Sequence, residues 1–205
     1  DLSRIGTLGF RGEALPSIAS VSKVELTTRT RGAEAGVKLT VEGGVVTDVR
    51  DAGCPQGTTF VVRDLFFNTP VRRKFLKRAQ TEAGYVADVA TELALSRPEI
   101  AVRFVNNGKP VFQTVGNGDL RSVIYVVHGR EVSSGVLPFQ GAQGATRVEG
   151  FVGVGNLARG NRNYEFFFVN GRFVRDAQLS SAVENACRER VMIGKYPYCV
   201  LSVTV

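Results

Sequence analysis

A glycine-bracketed loop near the start of the chain is its clearest candidate for chemistry. Gly9 and Gly12 lie just before a short predicted helix over residues 14–19. The free N–H groups and the dipole of a helix N-terminus attract phosphate, and glycine lets the backbone approach it closely. The spacing therefore predicts an anion-binding loop. The alternative interpretation is a plain turn in which Glu13 caps the helix.

A second candidate is a basic cluster with five cations in seven positions. It consists of Arg72, Arg73, Lys74, Lys77 and Arg78. Positive charge is unfavourable at a helix N-terminus, so an external anion or nearby carboxylates must offset the repulsion. DNA phosphate would do so, and Arg159 and Arg162 are candidates to extend the same surface. The alternative is a solvated helix face with Phe75 and Leu76 in the core.

Few residues could build a metal or hydrolytic site. His128 is the only histidine, and Cys54, Cys187 and Cys199 form no C-x-x-C pair. We therefore predict that the chain has no zinc site, no disulfide framework and no hydrolase triad. The cysteine pattern also predicts that the protein works in a reducing compartment. His128 is expected at the end of a helix, before Gly129, without a catalytic role.

The elements that must position these residues follow from the sequence pattern. Runs rich in Val, Thr and Leu predict an antiparallel meander over residues 23–30, 37–42, 45–50 and 58–63. Thr69-Pro70 predicts the start of one long helix that ends near Ser96, with Phe75, Ala79, Val86, Ala90 and Leu93 on its apolar face. Asn107-Gly108 predicts a hairpin.

The second half reads as a smaller α+β unit. Residues 115–118 are the best linker, and Asp119 is a candidate helix cap. Further elements are predicted as strands over residues 147–154 and 164–169, a turn at Asn170-Gly171, a helix over 177–190 and a strand from Tyr198.

Composition limits the class of protein. With 43% hydrophobic and 22% charged residues, the 205-residue chain is not expected to be disordered, collagen-like or a coiled-coil rod. Its apolar runs are far shorter than the roughly 18 residues of a membrane span, so no membrane partner is predicted. A net charge of +7 favours an anionic partner, nucleic acid first. The absence of an initiator Met and a final strand without a turn lead us to expect a piece of a longer protein.

Three stretches resemble the MutL family of DNA mismatch repair proteins. TLGFRGEAL at residues 7–15, followed by SIASV, is similar to the family's third ATP-binding motif. GTT at 57–59 and DLFFNTPVRRKFL at 64–76 resemble the fourth motif and the helix after it. FVNGR at 168–172 resembles the family's second domain, so the likeness extends from Asp1 to Val205.

This resemblance implies an α+β fold. Residues 1–116 would form the C-terminal part of a GHKL-type ATPase α/β sandwich, a fold shared in outline with gyrase, Hsp90 chaperones and histidine kinases. Residues 117–205 would form a domain like the second domain of ribosomal protein S5, incomplete at its C-terminus. The implied cofactors of the intact protein are ATP and Mg²⁺, with slow ATP hydrolysis. The implied partners are DNA, a second copy on ATP binding, and the mismatch-recognition protein MutS. The implied location is the bacterial cytoplasm, or the nucleus of a eukaryote.

The family's nucleotide-binding roles transfer to matching residues. The third-motif backbone would wrap the triphosphate, Thr58 would lie near the adenine, and Lys195, or failing that Arg190, would reach the γ-phosphate from the second domain. The full set is Gly9, Phe10, Arg11, Gly12, Ala14, Leu15, Thr58 and Lys195.

The resemblance also implies what this chain lacks. In the family, the glutamate that activates water and the asparagine that holds Mg²⁺ precede the third motif. We therefore assign no catalytic residue or metal ligand, and expect the chain alone to be inactive as an ATPase. Two alternatives stay open: a basic DNA-binding and dimerisation module that does not need nucleotide, and another GHKL branch such as a topoisomerase subunit or a chaperone.

Overall fold

The computed structural model describes residues 12–205 in two compact units. The first unit ends at Arg78 and the second comprises Ala79–Val205. The boundary predicted between residues 116 and 117 lies inside the second unit. That boundary separates the two domains that the family resemblance implies, and such domains need not coincide with compact units. It stays a prediction.

The first unit is a four-stranded antiparallel sheet flanked in sequence by two short helices. Its elements are α1 (Ala14–Ala19), β1 (Lys23–Arg29), β2 (Gly36–Glu42), β3 (Val45–Ala52), β4 (Gly57–Arg63) and α2 (Pro70–Lys74). The strand order is β3-β2-β1-β4. The predicted meander is therefore wrong in its last step, because β4 pairs with β1 rather than with β3. Pro55, in the connection before β4, has no N–H to donate to a hairpin ladder with β3.

The two faces of this sheet differ in chemistry. Paired residues of antiparallel strands point to the same face, so Val24, Val41 and Val62 share one face with Leu26 and Phe60. The opposite face carries charges, with ion pairs from Lys23 to Glu42 at 3.3 Å and from Lys38 to Glu25 at 2.6 Å. Alternating residue types along each strand thus produce one apolar and one charged face.

The predicted long helix is interrupted. Only Pro70–Lys74 is helical before the break, and helix α3 begins at Ala79. Phe75 is 80% exposed rather than buried in a core. On a continuous helix Arg73 would lie four residues from Lys77, and Lys74 four residues from Arg78, which is the spacing at which like charges repel.

The second unit combines a five-stranded sheet, a two-stranded sheet and three helices. Its elements are α3 (Ala79–Ser96), β5 (Arg103–Asn106), β6 (Lys109–Gln113), α4 (Leu120–Gly135), β7 (Leu137–Gln143), β8 (Thr146–Gly153), β9 (Glu165–Val169), β10 (Arg172–Val174), α5 (Ala177–Ala186) and β11 (Tyr198–Thr204). The large sheet has the order β10-β9-β11-β8-β7, and β9 runs parallel to β11. Strand β10 and helix α5 form the connection that this parallel pair needs.

Hydrophobic clusters cover both faces of the large sheet. On one face, Ile124 of α4 and Leu95 of α3 belong to a cluster with Phe166, Phe168 and Tyr198. On the other face, Leu179 and Val183 of α5 pack against a cluster of Phe167, Cys199 and Leu201. Besides Phe75, the burial predicted along the long helix is wrong at three positions, because Ala79 is exposed and Val86 and Leu93 are more than half exposed.

The turn predictions are confirmed. Asn107 and Gly108 join β5 to β6, and Asn170 and Gly171 join β9 to β10, all four with positive φ. The predicted helix at residues 177–190 is shorter, since α5 ends at Ala186. Sequence reasoning missed strand β7, because proline and glycine are uncommon inside strands. Pro138 and Gly141 are tolerated here because β7 is an edge strand. Within the described range, no helix has the length and hydrophobicity needed to cross a bilayer.

Candidate functional site

Two of the motif stretches meet at the end of helix α1. The N–H of Phe66 donates to the carbonyl oxygen of Val21 at 2.7 Å, and the side-chain amide of Asn68 donates to that of Ser20 at 2.8 Å. Asp64 and Phe66 take positive φ values of 52° and 64°, which are unfavourable for residues with a side chain. The structure therefore joins the third-motif helix to the fourth-motif loop through a strained connection.

The described part of the predicted phosphate loop is open. Gly12 has a φ of +66°, and an added Cβ there would meet nothing within 4 Å. Glu13 occupies the N-cap position of helix α1, but its side chain makes no capping hydrogen bond. Ala14 and Leu15 form the first turn, and Leu15 is 54% exposed. Gly9, Phe10 and Arg11 lie outside the described residues.

Thr58 lies on the apolar face of the first sheet, opposite Thr28 of β1. The two hydroxyls are 2.9 Å apart, and the Thr28 hydroxyl also donates to the carbonyl of Gly57 at 3.2 Å. Phe60 and Val62, on the same face of β4, are 44% and 46% exposed. A flat apolar surface ending in a polar hydroxyl pair can bind a planar base on one side and hydrogen-bond its edge.

The five cations of the basic cluster are exposed and belong to the first unit. Three of them lie on the short helix α2 and two in the segment after it, so the five charges do not share one helix. Such a surface suits a polyanion that is contacted through its backbone.

Arg159 and Arg162 are both engaged with neighbouring side chains. The guanidinium of Arg162 forms two hydrogen bonds to Glu184, at 2.6 and 3.1 Å, and Glu184 raises the pKa of Arg162. Arg159 lies 5.4 Å from the ring centre of Tyr164. A DNA contact by Arg162 would have to compete with its carboxylate partner.

Lys195 and His128 occupy contrasting environments in the second unit. Lys195 is exposed at the end of a tight turn, where its N–H donates to Met192 at 3.0 Å. His128 lies directly before Gly129, which breaks helix α4 with a φ of 88°, and its Nδ1 is 2.9 Å from the Tyr198 hydroxyl. All three cysteines are free thiols.

Sequence reasoning missed two contributors. Thr28 pairs with Thr58, and Asn68 holds helix α1, but neither was assigned a role. The only local signal for Thr28 was its place in a Thr-rich strand, next to Thr27. Asn68 lies in the stretch that resembles the fourth motif, but its partner is 48 residues away and could not be inferred.

Comparison with known proteins identifies the family. Residues 124–205 match the model of the DNA mismatch repair protein, C-terminal domain. The chain is 46% identical over 204 residues to the DNA mismatch repair protein MutL of Agathobacter rectalis, covering 100% of this chain and 32% of that protein. It is also 46% identical over 205 residues to MutL of Symbiobacterium thermophilum, with coverage of 100% and 32%. This chain belongs to the MutL family. It spans about a third of the length of these curated relatives.

The fold of this MutL-family chain agrees with a solved relative. A structure of the Aquifex aeolicus MutL ATPase domain complexed with ADP has a TM-score of 0.73 and 29% sequence identity, and covers 94% of this chain and 71% of that one. The predicted fold class is confirmed: part of a GHKL-type ATPase sandwich followed by an S5 domain 2-like α+β domain. Membership of the MutL family also removes the alternative of a topoisomerase subunit or a chaperone.

Proposed function

We propose that this chain forms part of an ATP-binding switch in a DNA mismatch repair protein. The proposal depends on one observation: hydrogen bonds join the end of helix α1 to the loop at residues 64–69, although these two motif stretches are distant in sequence. Both stretches belong to the unit whose sheet contains Thr58. The ADP complex of the related Aquifex aeolicus domain supports a nucleotide at this fold.

The described residues fit a nucleotide. Thr28 and Thr58 form a hydroxyl pair on the apolar face of the sheet, beside the exposed Phe60, and such a pair can bond the edge of a base. Gly12 would let the phosphate chain approach the backbone, with Gly9, Phe10, Arg11, Ala14 and Leu15 completing the loop. Thr58 would bond the base edge, and Lys195 of the second unit would reach the γ-phosphate.

Metal and catalysis are assigned to other parts of the full-length protein. Among residues 12–205 no group of three His, Cys, Asp or Glu side chains could hold a metal ion. We propose that the water-activating glutamate and the Mg²⁺ ligand lie outside this chain, which alone does not hydrolyse ATP. When bound, Mg²⁺ would neutralise charge on the phosphates.

The switch would act on assembly and on DNA. In the proposed cycle, ATP binding stabilises one arrangement of the N-terminal region and favours its dimer, and slow hydrolysis reverses it. The basic cluster at residues 72–78 would contact DNA phosphates without reading bases. The mismatch-recognition protein MutS is the proposed protein partner.

Nucleotide titration of the full-length protein tests this proposal. With a non-hydrolysable ATP analogue and Mg²⁺, Gly12→Val should abolish binding, since valine cannot readily adopt positive φ. Thr58→Val should weaken binding roughly tenfold by removing one hydrogen bond. Thr59→Val is the matched control, because Thr59 points to the opposite face and should leave affinity unchanged.

The alternative of a nucleotide-independent DNA-binding module is an outcome of the same experiment. It would be the better account if the full-length protein binds DNA but shows no saturable binding of the analogue. Analytical ultracentrifugation with and without the analogue would show whether dimerisation depends on nucleotide.

A further inference from the structure

A turn in the second unit presents two apolar side chains to solvent. Met192 is 72% exposed and Ile193 is fully exposed, with a relative exposure of 106%. The turn is closed by the hydrogen bond from Lys195 to Met192, and Gly194 supplies the positive φ of 77° that its third position requires. Ile193 therefore lies at the tip of a defined turn, where leaving it in water is unfavourable.

The turn is held in place from both sides. Tyr196 and Arg159 exchange two backbone hydrogen bonds of 2.8 and 2.9 Å, and Gly155 donates to the carbonyl of Arg190 at 3.1 Å. The ring of Tyr196 also lies 5.1 Å from the Arg162 guanidinium. A tip ordered in this way loses little conformational entropy when it binds a partner.

Exposed cations flank the apolar tip in the sequence on both sides. Arg188, Arg190 and Lys195 are exposed, and only Glu189 opposes them between residues 187 and 197. In the described part of the chain, no carboxylate forms an ion pair with any of the three cations. The partner that fits this surface is anionic at its rim and apolar within.

We propose that the turn is a wedge that inserts Ile193, supported by Met192, between neighbouring base pairs of DNA. The flanking Arg188 and Arg190 would hold the phosphates on either side, as proteins that kink DNA combine apolar insertion with basic contacts. The inference rests on the proposed function in one respect, that the full-length protein binds DNA. An anionic membrane has similar chemistry, but two apolar side chains are too few for stable anchoring.

The wedge predicts a preference for DNA that unstacks easily. Fluorescence anisotropy of the full-length protein would compare a fully paired duplex with one carrying a central abasic site, each with 2-aminopurine next to the centre. The parent should bind the abasic duplex more tightly and raise the 2-aminopurine fluorescence. Ile193→Ser should lose about tenfold in affinity for the abasic duplex and the fluorescence rise.

Two further variants separate insertion from charge. Arg188→Gln should weaken binding to both duplexes alike and lower the salt slope by about 1. Val115→Ser changes another exposed apolar residue, 68% exposed, and should bind like the parent.

Four results would overturn the wedge. If Ile193→Ser matches the parent on both duplexes while Arg188→Gln weakens binding, DNA binding stands and the wedge does not. A parent that binds neither duplex removes the proposed DNA binding as well. If Ile193→Ser loses only affinity for the ATP analogue, Ile193 acts beside Lys195 at the nucleotide and not on DNA. If it loses only binding to vesicles rich in phosphatidylglycerol, the turn belongs to a membrane.

Discussion

Lowering the pH should charge one buried imidazole and thereby destabilise the second unit. His128 Nδ1 lies 2.9 Å from the Tyr198 hydroxyl, and its ring centre is 5.4 Å from those of Phe166 and Tyr198. Burial, assisted by the positive charge of Arg159, lowers the pKa of His128 from 6.5 to about 4. The folded protein therefore holds this imidazole neutral through the pH range in which an unfolded chain would protonate it.

The size and sign of the effect follow from that difference. Because the folded pKa is the lower one, the stability is fully present above pH 6.5 and is lost as the pH falls through about 4. The gap between 6.5 and about 4, at 1.36 kcal/mol per pH unit, amounts to about 3 kcal/mol. Most of this loss should have occurred by about pH 4.5.

Two measurements check the value. His128 is the only histidine of the 205 residues, so one imidazole resonance in the NMR spectrum of the chain reports its titration. Urea unfolding at several pH values gives the free energy, taken as the difference between the parent and His128→Phe, since Glu165 titrates with the opposite sign. Tyr125→Phe is a control at an exposed ring. A titration midpoint near 6.5 would refute the reasoning.

Three further changes test the packing of the same unit. Both carboxylate oxygens of Glu165 are buried without a hydrogen-bond partner in the described chain, and burial raises the pKa of this carboxyl although the nearby Ser180 hydroxyl partly offsets the rise. The contribution of Glu165 to stability is therefore fully present at low pH and is lost as the pH rises through the folded pKa of this carboxyl. Glu165→Gln should stabilise by about 1–3 kcal/mol at pH 7.5 and hardly at pH 4. Equal gains in urea unfolding at both pH values would contradict this. Gly150→Ala should destabilise by about 3 kcal/mol or more in thermal unfolding, because its Cβ would collide with the carbonyl oxygen of Val200, whereas Gly160→Ala meets nothing within 4 Å and should be nearly neutral. Asp119 accepts hydrogen bonds from the N–H groups of Arg121 and Ser122 at 2.9 and 3.2 Å, so Asp119→Ala should lose about 1 kcal/mol of unfolding free energy and Asp119→Asn much less.

Local chemistry made some elements predictable. The Asn-Gly turns and the Asp119 cap each depend on a few adjacent residues, so they could be inferred from the sequence alone. The partner of a strand depends on residues that are distant in sequence. Nothing in residues 57–63 shows whether β4 pairs with the free edge of β1 or with that of β3. The periodicity around Val86 and Leu93 predicted a buried face, but a period shows only that one face is apolar, not what covers it.

The link between the two motif stretches of the candidate site also depends on contacts between residues that are distant in sequence. The loop at residues 64–69 keeps two residues at unfavourable φ because Phe66 and Asn68 bond to the end of helix α1, a constraint that no local pattern reveals. The chain then continues directly into α2 and the basic cluster. Helix α1 therefore cannot shift without breaking these bonds or moving the loop that leads to the cations. We expect a nucleotide that moves α1 to change the placement of the basic cluster through this strained loop, which would link the candidate phosphate site to the candidate DNA contact within one unit.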